Sequence, residues 1–181
     1  YELEGVLQDT SVDPQWTLSA TPMGTGGNAS NIFVDEGGTV TLTLTWDDTN
    51  SFIPSGSYVN WQVYVGNSDT ASTSDFQGNA LPSGQFNYTG AGTSTDTFSL
   101  VADVATEGNE TFYVELIADN ITDSRASNNG KDSAGNTHTI NAIINDTSLS
   151  PEYIISAPAS VNEGSTLTIS LTCQRAAVGQ S

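Results

Sequence analysis

The stretch Thr39–Trp46 reads Thr-Val-Thr-Leu-Thr-Leu-Thr-Trp and alternates strictly between a hydroxyl and an apolar side chain. Because successive side chains of a β-strand point to opposite faces, this alternation predicts a strand with one face in a core and one threonine-lined face in water. No segment of the chain sustains an amphipathic helical pattern over three turns. The sequence therefore predicts an all-β protein.

The region around this stretch occurs twice. Residues 34–45 are matched by residues 161–172 at an offset of 127, and residues 8–16 by residues 145–153 at an offset of 137. The difference of ten residues predicts a longer loop in the first copy, between Thr21 and Ile32. Repetition of this kind indicates one structural unit used several times in tandem.

The repeat register also predicts the domain boundaries. Residues 10–148 are expected to form one complete module, residues 1–9 the last strand of a preceding module, and residues 149–181 the first strands of a following, truncated module. The register aligns Cys173 with Trp46, which predicts a buried, inward-facing thiol rather than a reactive one.

Further rows of alternating apolar side chains predict about seven short strands in the complete module. The predicted first strand has two pieces, Trp16–Ala20 and Ile32–Val34. The other predicted strand regions are Val40–Trp46, Val59–Val65, Gln85–Tyr88, Phe98–Ala102, Phe112–Ala118 and Ile140–Ile144. That number of strands in a module of this length favours an immunoglobulin-like antiparallel β-sandwich over a closed barrel, with Trp61 at the centre of its core.

The charge of the chain restricts its partners. It carries 21 acidic side chains and 3 basic ones, for a formal net charge of −18. Nucleic-acid binding needs a basic surface that neutralises phosphates, so the composition excludes this class of partner. No segment is long and apolar enough to predict insertion into a membrane. Two interpretations of the acidic excess stay open: it keeps an extracellular protein soluble, or some carboxylates bind divalent cations.

Five local motifs, in the same order along the chain, resemble the Calx-beta module. They are Val34–Val40, Thr70–Phe76, Ser83–Phe86, Asp103–Leu116 and Ile143–Asp146. The motif Asp103–Leu116 is the most specific, because it is similar to the family's pattern D-x-x-x-E-G-x-E-T-F-x-V-x-L almost throughout. This resemblance covers the whole central module and implies an immunoglobulin-like sandwich.

The resemblance to the calcium-binding members of that family also implies a metal site at one end of the module. The implied calcium ligands are Glu36, Asp103, Glu107, Glu110 and Asp146. This chain has single aspartates at positions 103 and 146, where those members have consecutive ones, so the implied site has fewer carboxylates.

A structural alternative accounts for the same residues without a metal. In it, Glu107 and Glu110 brace their turn by accepting backbone N–H bonds. Gly37 and Gly108 would supply backbone conformations that other residues resist.

The sequence does not indicate catalysis. His138 is the only histidine and is expected near the end of a strand in a structural role. The chain has no nucleophile elbow, no zinc-binding H-E-x-x-H and no phosphate-binding loop ahead of a helix. We therefore expect a protein that is not an enzyme and that requires no cofactor, with calcium as the one ion that the resemblance implies.

A narrower resemblance concerns the amino-acid sequences of three segments of the repeats. Residues 105–112, 144–148 and 160–165 are similar to tandem repeats in large structural proteins of marine and cyanobacterial phages. The resemblance implies a structural or adhesive appendage at the virion surface, such as a fibre, a whisker or a capsid decoration. A bacterial secreted or cell-surface adhesin and a calcium-binding regulatory module are the alternatives.

These readings carry expectations about partners. Neighbouring modules of the same chain, further copies in a homo-oligomer or other virion proteins are expected to contact the module. A host-surface glycan or receptor is the expected external partner. Tyr64 and Tyr113 fall on outward strand positions, which suits contact with a glycan or a subunit and equally suits cross-strand packing.

Overall fold

The computed structural model describes residues 15–23, 31–47, 53–90, 92–103, 105–120, 138–148 and 152–174. These residues form ten β-strands and one 3₁₀ turn, Thr73–Asp75. The strands are β1 (Gln15–Thr21), β2 (Asn31–Asp35), β3 (Thr39–Asp47), β4 (Tyr58–Tyr64), β5 (Ser83–Asn87), β6 (Gly92–Ser99), β7 (Glu110–Asp119), β8 (Thr139–Asn145), β9 (Glu152–Ser156) and β10 (Ser170–Gln174). Within the described residues, no helix is long and apolar enough to cross a membrane.

Strands β1 to β8 form an immunoglobulin-like sandwich of two sheets, as the sequence predicts. One sheet has the order β1-β3-β6 and the other has the order β2-β8-β7-β4-β5. Neighbouring strands are antiparallel except β2 and β8, which are parallel. The opening segment contributes one strand to each sheet, so the described part of the module has eight strands where the sequence predicts about seven.

The core lies between the two sheets and follows the alternation of the strands. Val40, Leu42 and Leu44 of β3 are fully buried, and their threonine neighbours face outward, as expected. Trp61 is 1% exposed and packs near Phe86 and Phe98, which confirms its place in the core. Burying an aliphatic or aromatic side chain of this size stabilises a fold by roughly 1.5–3 kcal/mol, so these rows hold the sheets together.

Strand β6 differs from its prediction. The sequence predicts a strand over Phe98–Ala102, but β6 ends at Ser99 and places Ser94 and Asp96 on its inward side. These polar groups serve buried indoles: Ser94 Oγ accepts from Trp46 Nε1 at 3.0 Å and Asp96 Oδ2 from Trp61 Nε1 at 2.9 Å. A buried indole N–H is costly without an acceptor, so these two bonds account for the polar side chains at inward positions of β6.

Gly84 of β5 lies against this pair of side chains. A Cβ atom at position 84 would lie 2.7 Å from Trp61 Nε1 and would overlap Asp96 Oδ2. Only glycine therefore lets the strand pass this close to the bond between the two sheets.

The second copy of the repeat forms a separate two-stranded sheet, β9 and β10. Glu152 pairs with Gln174, as Gln15 pairs with Asp47. The pairing of β9 with β10 thus reproduces both offsets of the sequence repeat, which places the ten additional residues between β1 and β3. Residues 1–9, expected to be the last strand of a preceding module, lie outside the described residues.

The hairpin of β9 and β10 exposes side chains whose equivalents in β1 and β3 are buried. Large apolar side chains are 50–73% exposed at Tyr153, Ile155, Leu167, Ile169 and Leu171. Their counterparts at an offset of 137 or 127 are at most 8% exposed. Cys173 is exposed as well, so the prediction of a buried thiol is wrong for this chain. The reason is that no second sheet covers the hairpin among the described residues.

Candidate calcium site

Three carboxylates from separate segments converge at one end of the sandwich. Asp75 ends the 3₁₀ turn, Glu107 lies in the loop before β7, and Glu110 is the first residue of β7. One carboxylate oxygen from each lies within 4.8 Å of the others. Calcium binds oxygen at about 2.3–2.6 Å, so two of its ligands lie at most about 5 Å apart and these three oxygens can share one ion.

The position of Asp75 follows from a capping box. Its side chain accepts from the Ser72 backbone N–H at 2.5 Å, and the Ser72 hydroxyl accepts from the Ser74 N–H at 3.3 Å. Phe76, the next residue, is fully buried and anchors the turn in the core. The Asp75 carbonyl also accepts from the Val101 N–H at 2.9 Å. The carboxylate is therefore held on a fixed backbone.

Two hydrogen bonds join this turn to the beginning of β7. Ala71 N–H donates to the Thr111 carbonyl at 3.1 Å, and Thr111 N–H donates to Thr70 Oγ1 at 3.0 Å. Since Glu110 directly precedes Thr111, the same bonds hold Glu110 beside Asp75.

Asp146, after β8, holds the loop that carries Glu107. Asp146 Oδ2 accepts from the Gly108 N–H at 2.8 Å, and its backbone N–H donates to Asn109 Oδ1 at 3.3 Å. The Ser148 N–H donates to Asp146 Oδ1 at 2.8 Å, and the single proton of the Ser148 hydroxyl goes either to Asp146 or, at 2.6 Å, to the Ala105 carbonyl. The backbone bracing that the structural alternative assigns to Glu107 and Glu110 is thus supplied by Asp146.

The glycines of that alternative are confirmed. Gly37 has a φ of 71° and Gly108 a φ of 84°, both in the left-handed region. A side chain is strained there, so both turns need glycine.

Burial, together with charge repulsion, raises the pKa values of two carboxylates at this end of the sandwich. Burial raises the pKa of Glu110 to about 7, and repulsion by Asp75 and Glu107 adds to the shift. Burial also raises the pKa of Glu36, with contributions from the charges of Asp146 and Asp103. Hydrogen bonds from Ser148 and from the Gly108 backbone lower the pKa of Asp146. Every Lys and Arg of the chain lies outside the described residues, so within them no such side chain neutralises the cluster.

The structure divides the five residues implied by the sequence into two groups. Glu107 and Glu110 belong to the cluster. Glu36, Asp103 and Asp146 lie outside it; Asp103 accepts from the Ala105 N–H at 2.7 Å, and Glu36 accepts from Thr147 Oγ1 at 3.4 Å. Both contacts, like those of Asp146, fix the surrounding loops.

Asp75 is the member of the cluster that the sequence reasoning missed. It lies within the motif Thr70–Phe76, but only the hydrogen bonds from this turn to β7 bring it to Glu110. A signal was present in the pattern Ser72-x-x-Asp75, which is typical of a capping box and predicts a fixed acidic side chain.

No family model matches the chain, and no curated protein matches it. Among solved structures, the chain is similar to the apo-form Calx CBD1 domain, with 14% identity over 75% of this chain and 98% of that chain and a TM-score of 0.49. It is also similar to the calcium binding domain CBD12 of CALX1.1, with 12% identity over 88% of this chain and 69% of that chain and a TM-score of 0.49. For CBD12 from CALX1.2 the identity is 16%, over 65% of this chain and 42% of that chain, with a TM-score of 0.45.

Proposed function

We propose that the complete module is a non-enzymatic calcium-binding β-sandwich. The observation that carries this proposal is the convergence of Asp75, Glu107 and Glu110 within 4.8 Å. The donors are of the right kind, because calcium is a hard cation that takes six to eight oxygen ligands. Three carboxylates can supply up to six oxygens, and water completes such sites.

The raised pKa of Glu110 supports the proposal energetically. A carboxylate that retains its proton up to about pH 7 is held where its negative charge is unfavourable. A divalent cation at this point favours the ionised form and removes the repulsion. The ion would also join the turn at residues 70–76 to the loop at residues 105–109, so its binding energy would stabilise this end of the fold.

Isothermal titration with calcium tests the proposal directly. Calcium should bind to the protein from which EDTA has removed divalent ions, and Asp75→Asn should weaken this binding, because one of three carboxylates is lost. Glu163→Gln is a matched control, since Glu163 is an exposed carboxylate on the β9–β10 hairpin. Absence of calcium binding, or equal weakening by both substitutions, would contradict a site at the cluster.

A second proposal concerns organisation: residues 152–174 open a second module, and the modules form a tandem array. The shared register of β1–β3 and β9–β10 supports it. The exposed apolar face of the hairpin supports it too, because soluble proteins rarely leave such a surface uncovered. The occupant that fits this face is a five-stranded sheet like β2-β8-β7-β4-β5.

A fusion protein tests this organisation. Residues 48–148, attached directly after Gln174, would supply the strands that cover the first copy of the hairpin. We expect Cys173 to become protected from a thiol reagent in the fusion, and to react with the same reagent in the present chain, where it is exposed. Full reactivity of Cys173 in a folded fusion would show that the hairpin is not the opening of a module.

For such an array we propose a structural or adhesive role at the virion surface, as a fibre, whisker or capsid decoration. The motif resemblance to phage structural repeats supports this setting, and a bacterial surface adhesin is the alternative. The genes around the reading frame distinguish the two. Capsid or tail genes beside it favour the virion, and a secretion signal or wall anchor on the full protein favours the adhesin.

A further inference from the structure

The outer face of the five-stranded sheet presents two tyrosine rings side by side. Tyr64 of β4 pairs directly with Tyr113 of β7, and the ring centroids lie 4.9 Å apart with the planes tilted by 41°. Tyr64 is 42% exposed, so part of the aromatic surface is open to solvent. The prediction that both side chains point outward is confirmed.

A turn after β4 holds the two rings in place. A Cβ atom at Gly66 would lie 3.5 Å from Tyr64 Cε1 and 3.7 Å from Tyr113 Cε1, so this backbone packs against both rings. The turn is itself closed by a 2.8 Å hydrogen bond from the Gly66 N–H to Asp69 Oδ2. A ligand that stacks on the rings therefore meets a surface that is already ordered, which lowers the entropic cost of binding.

Polar groups continue the same face on neighbouring strands. Asn141 of β8 lies opposite Tyr113, and its amide donates to Asn31 Oδ1 at 3.1 Å. In the adjoining row, Gln62 lies opposite Glu115 and donates to its Oε1 at 2.8 Å. A carboxylate has two oxygens and an amide both a donor and an acceptor, so this row retains capacity for further hydrogen bonds.

We propose that this face, centred on Tyr64 and Tyr113 with Gln62, Glu115 and Asn141, binds a neutral glycan. Sugar rings present C–H groups that stack on aromatic faces and hydroxyls that pair with amides and carboxylates. The charge of the chain selects against anionic glycans, because the formal net charge is −18 and Glu115 lies within the face. The proposal goes beyond calcium binding and uses none of the three cluster carboxylates.

A basic peptide is the competing partner for an acidic aromatic surface, and the geometry disfavours it. Both carboxylates near the rings already accept hydrogen bonds, Glu115 from the Gln62 amide and Asp69 from the Gly66 N–H, and the Gln62 and Asn141 side chains are neutral amides. Hydrogen-bonding groups of both polarities beside a flat aromatic pair match the alternating hydroxyls and C–H faces of a sugar more closely than a localised positive charge.

Binding of the full chain to immobilised oligosaccharides tests the proposal. The panel contains neutral glucose, mannose, galactose and N-acetylglucosamine oligomers, their sulfated or carboxylated counterparts, and a lysine-rich peptide. We expect binding to at least one neutral oligomer, in EDTA as well as in calcium, with little dependence on salt. Tyr64→Ala should weaken it roughly tenfold, the scale of one aromatic contact. Tyr64→Phe, which keeps the ring, should retain it.

Two controls keep the test independent of folding. Tyr153→Ala removes an exposed tyrosine from the β9–β10 hairpin and should leave glycan binding unchanged. The melting temperature of Tyr64→Ala should fall by only a few degrees, because the substitution removes one cross-strand aromatic contact at the surface, and the variant should stay folded at the temperature of the binding assay. Failure of every neutral oligomer to bind overturns the proposal. So does equal loss in Tyr153→Ala, and so does salt-sensitive binding of the lysine-rich peptide alone.

Discussion

Glu110→Gln separates a calcium site from a merely structural acidic turn, because the two interpretations predict opposite changes in stability. Glutamine keeps the shape of the side chain but removes its charge. If the cluster is strained by repulsion without calcium, the substitution should stabilise the protein in EDTA. If Glu110 instead braces its turn as a carboxylate, the substitution should destabilise the protein in any buffer.

The pKa of Glu110 gives the magnitude. It lies at about 7 rather than 4.5, and one pKa unit corresponds to about 1.4 kcal/mol. The side chain is only partly buried, so solvent screening reduces the gain in the free energy of unfolding to roughly 1 kcal/mol. For a module of this size that is a rise in melting temperature of about 4 °C. Calcium at a hundred times its dissociation constant should stabilise the parent chain by about 2.7 kcal/mol, and the variant by much less.

The raised pKa of Glu110 also determines how the stability of the protein changes with pH. A raised pKa means that the folded state holds the Glu110 proton more tightly than the unfolded state does. The stability from this proton is fully present below pH 4.5 and is lost as the pH rises through about 7.

Thermal melts in EDTA at several pH values measure this difference. Parent and variant should therefore melt alike near pH 4.5, and the variant should melt higher at pH 8. A variant that melts lower at pH 8 in EDTA, or that keeps the full calcium shift, would refute the reasoning.

Three further predictions concern the fold. Gly84→Ala should lower the free energy of unfolding by about 1–3 kcal/mol in urea titrations, because its Cβ atom would meet Trp61. Ser83→Ala, at an exposed position of the same strand, should change the free energy of unfolding little. Leu42→Ala should cost about 2–5 kcal/mol by the same assay, since Leu42 is fully buried; a cost within experimental error would argue against the assigned core. Asp146 has a lowered pKa, so its stabilisation is present above pH 3.8 and lost as the pH falls below it. Asp146→Asn should accordingly melt lower than the parent at neutral pH and converge with it in acid; a constant difference at all pH values would contradict the assigned hydrogen bonds.

Much of the strand architecture can be predicted from patterns of residues that lie close together in the sequence. The alternation in Thr39–Trp46 predicts both the strand and its buried face, because a strand places every second side chain on the same side. The repeat offsets predict the pairing of β9 with β10, since the same residues in the same order make the same register. The resemblance of Asp103–Leu116 to the Calx-beta module implies the acidic positions Glu107 and Glu110.

Other features depend on contacts between distant segments. Asp75 joins Glu110 because backbone bonds from a turn 35 residues earlier fix its direction. Asp96 and Ser94 lie inward on β6 because tryptophans of other strands need acceptors there.

The sequence by itself determines that the chain is all-β, that its unit repeats, and which strand faces are apolar, since these properties depend on neighbours along the chain. The tertiary structure decides which carboxylates lie close together, which inward strand positions carry polar side chains, and whether a second sheet covers an apolar face. Cys173 and Trp46 occupy equivalent strand positions, yet the Cys173 side chain is exposed and the Trp46 side chain is buried, with 4% of its surface exposed. The physical reason is that a side chain on one face of a strand is buried only when a second sheet packs against that face. Among the described residues, β3 has such a sheet opposite it and β10 does not.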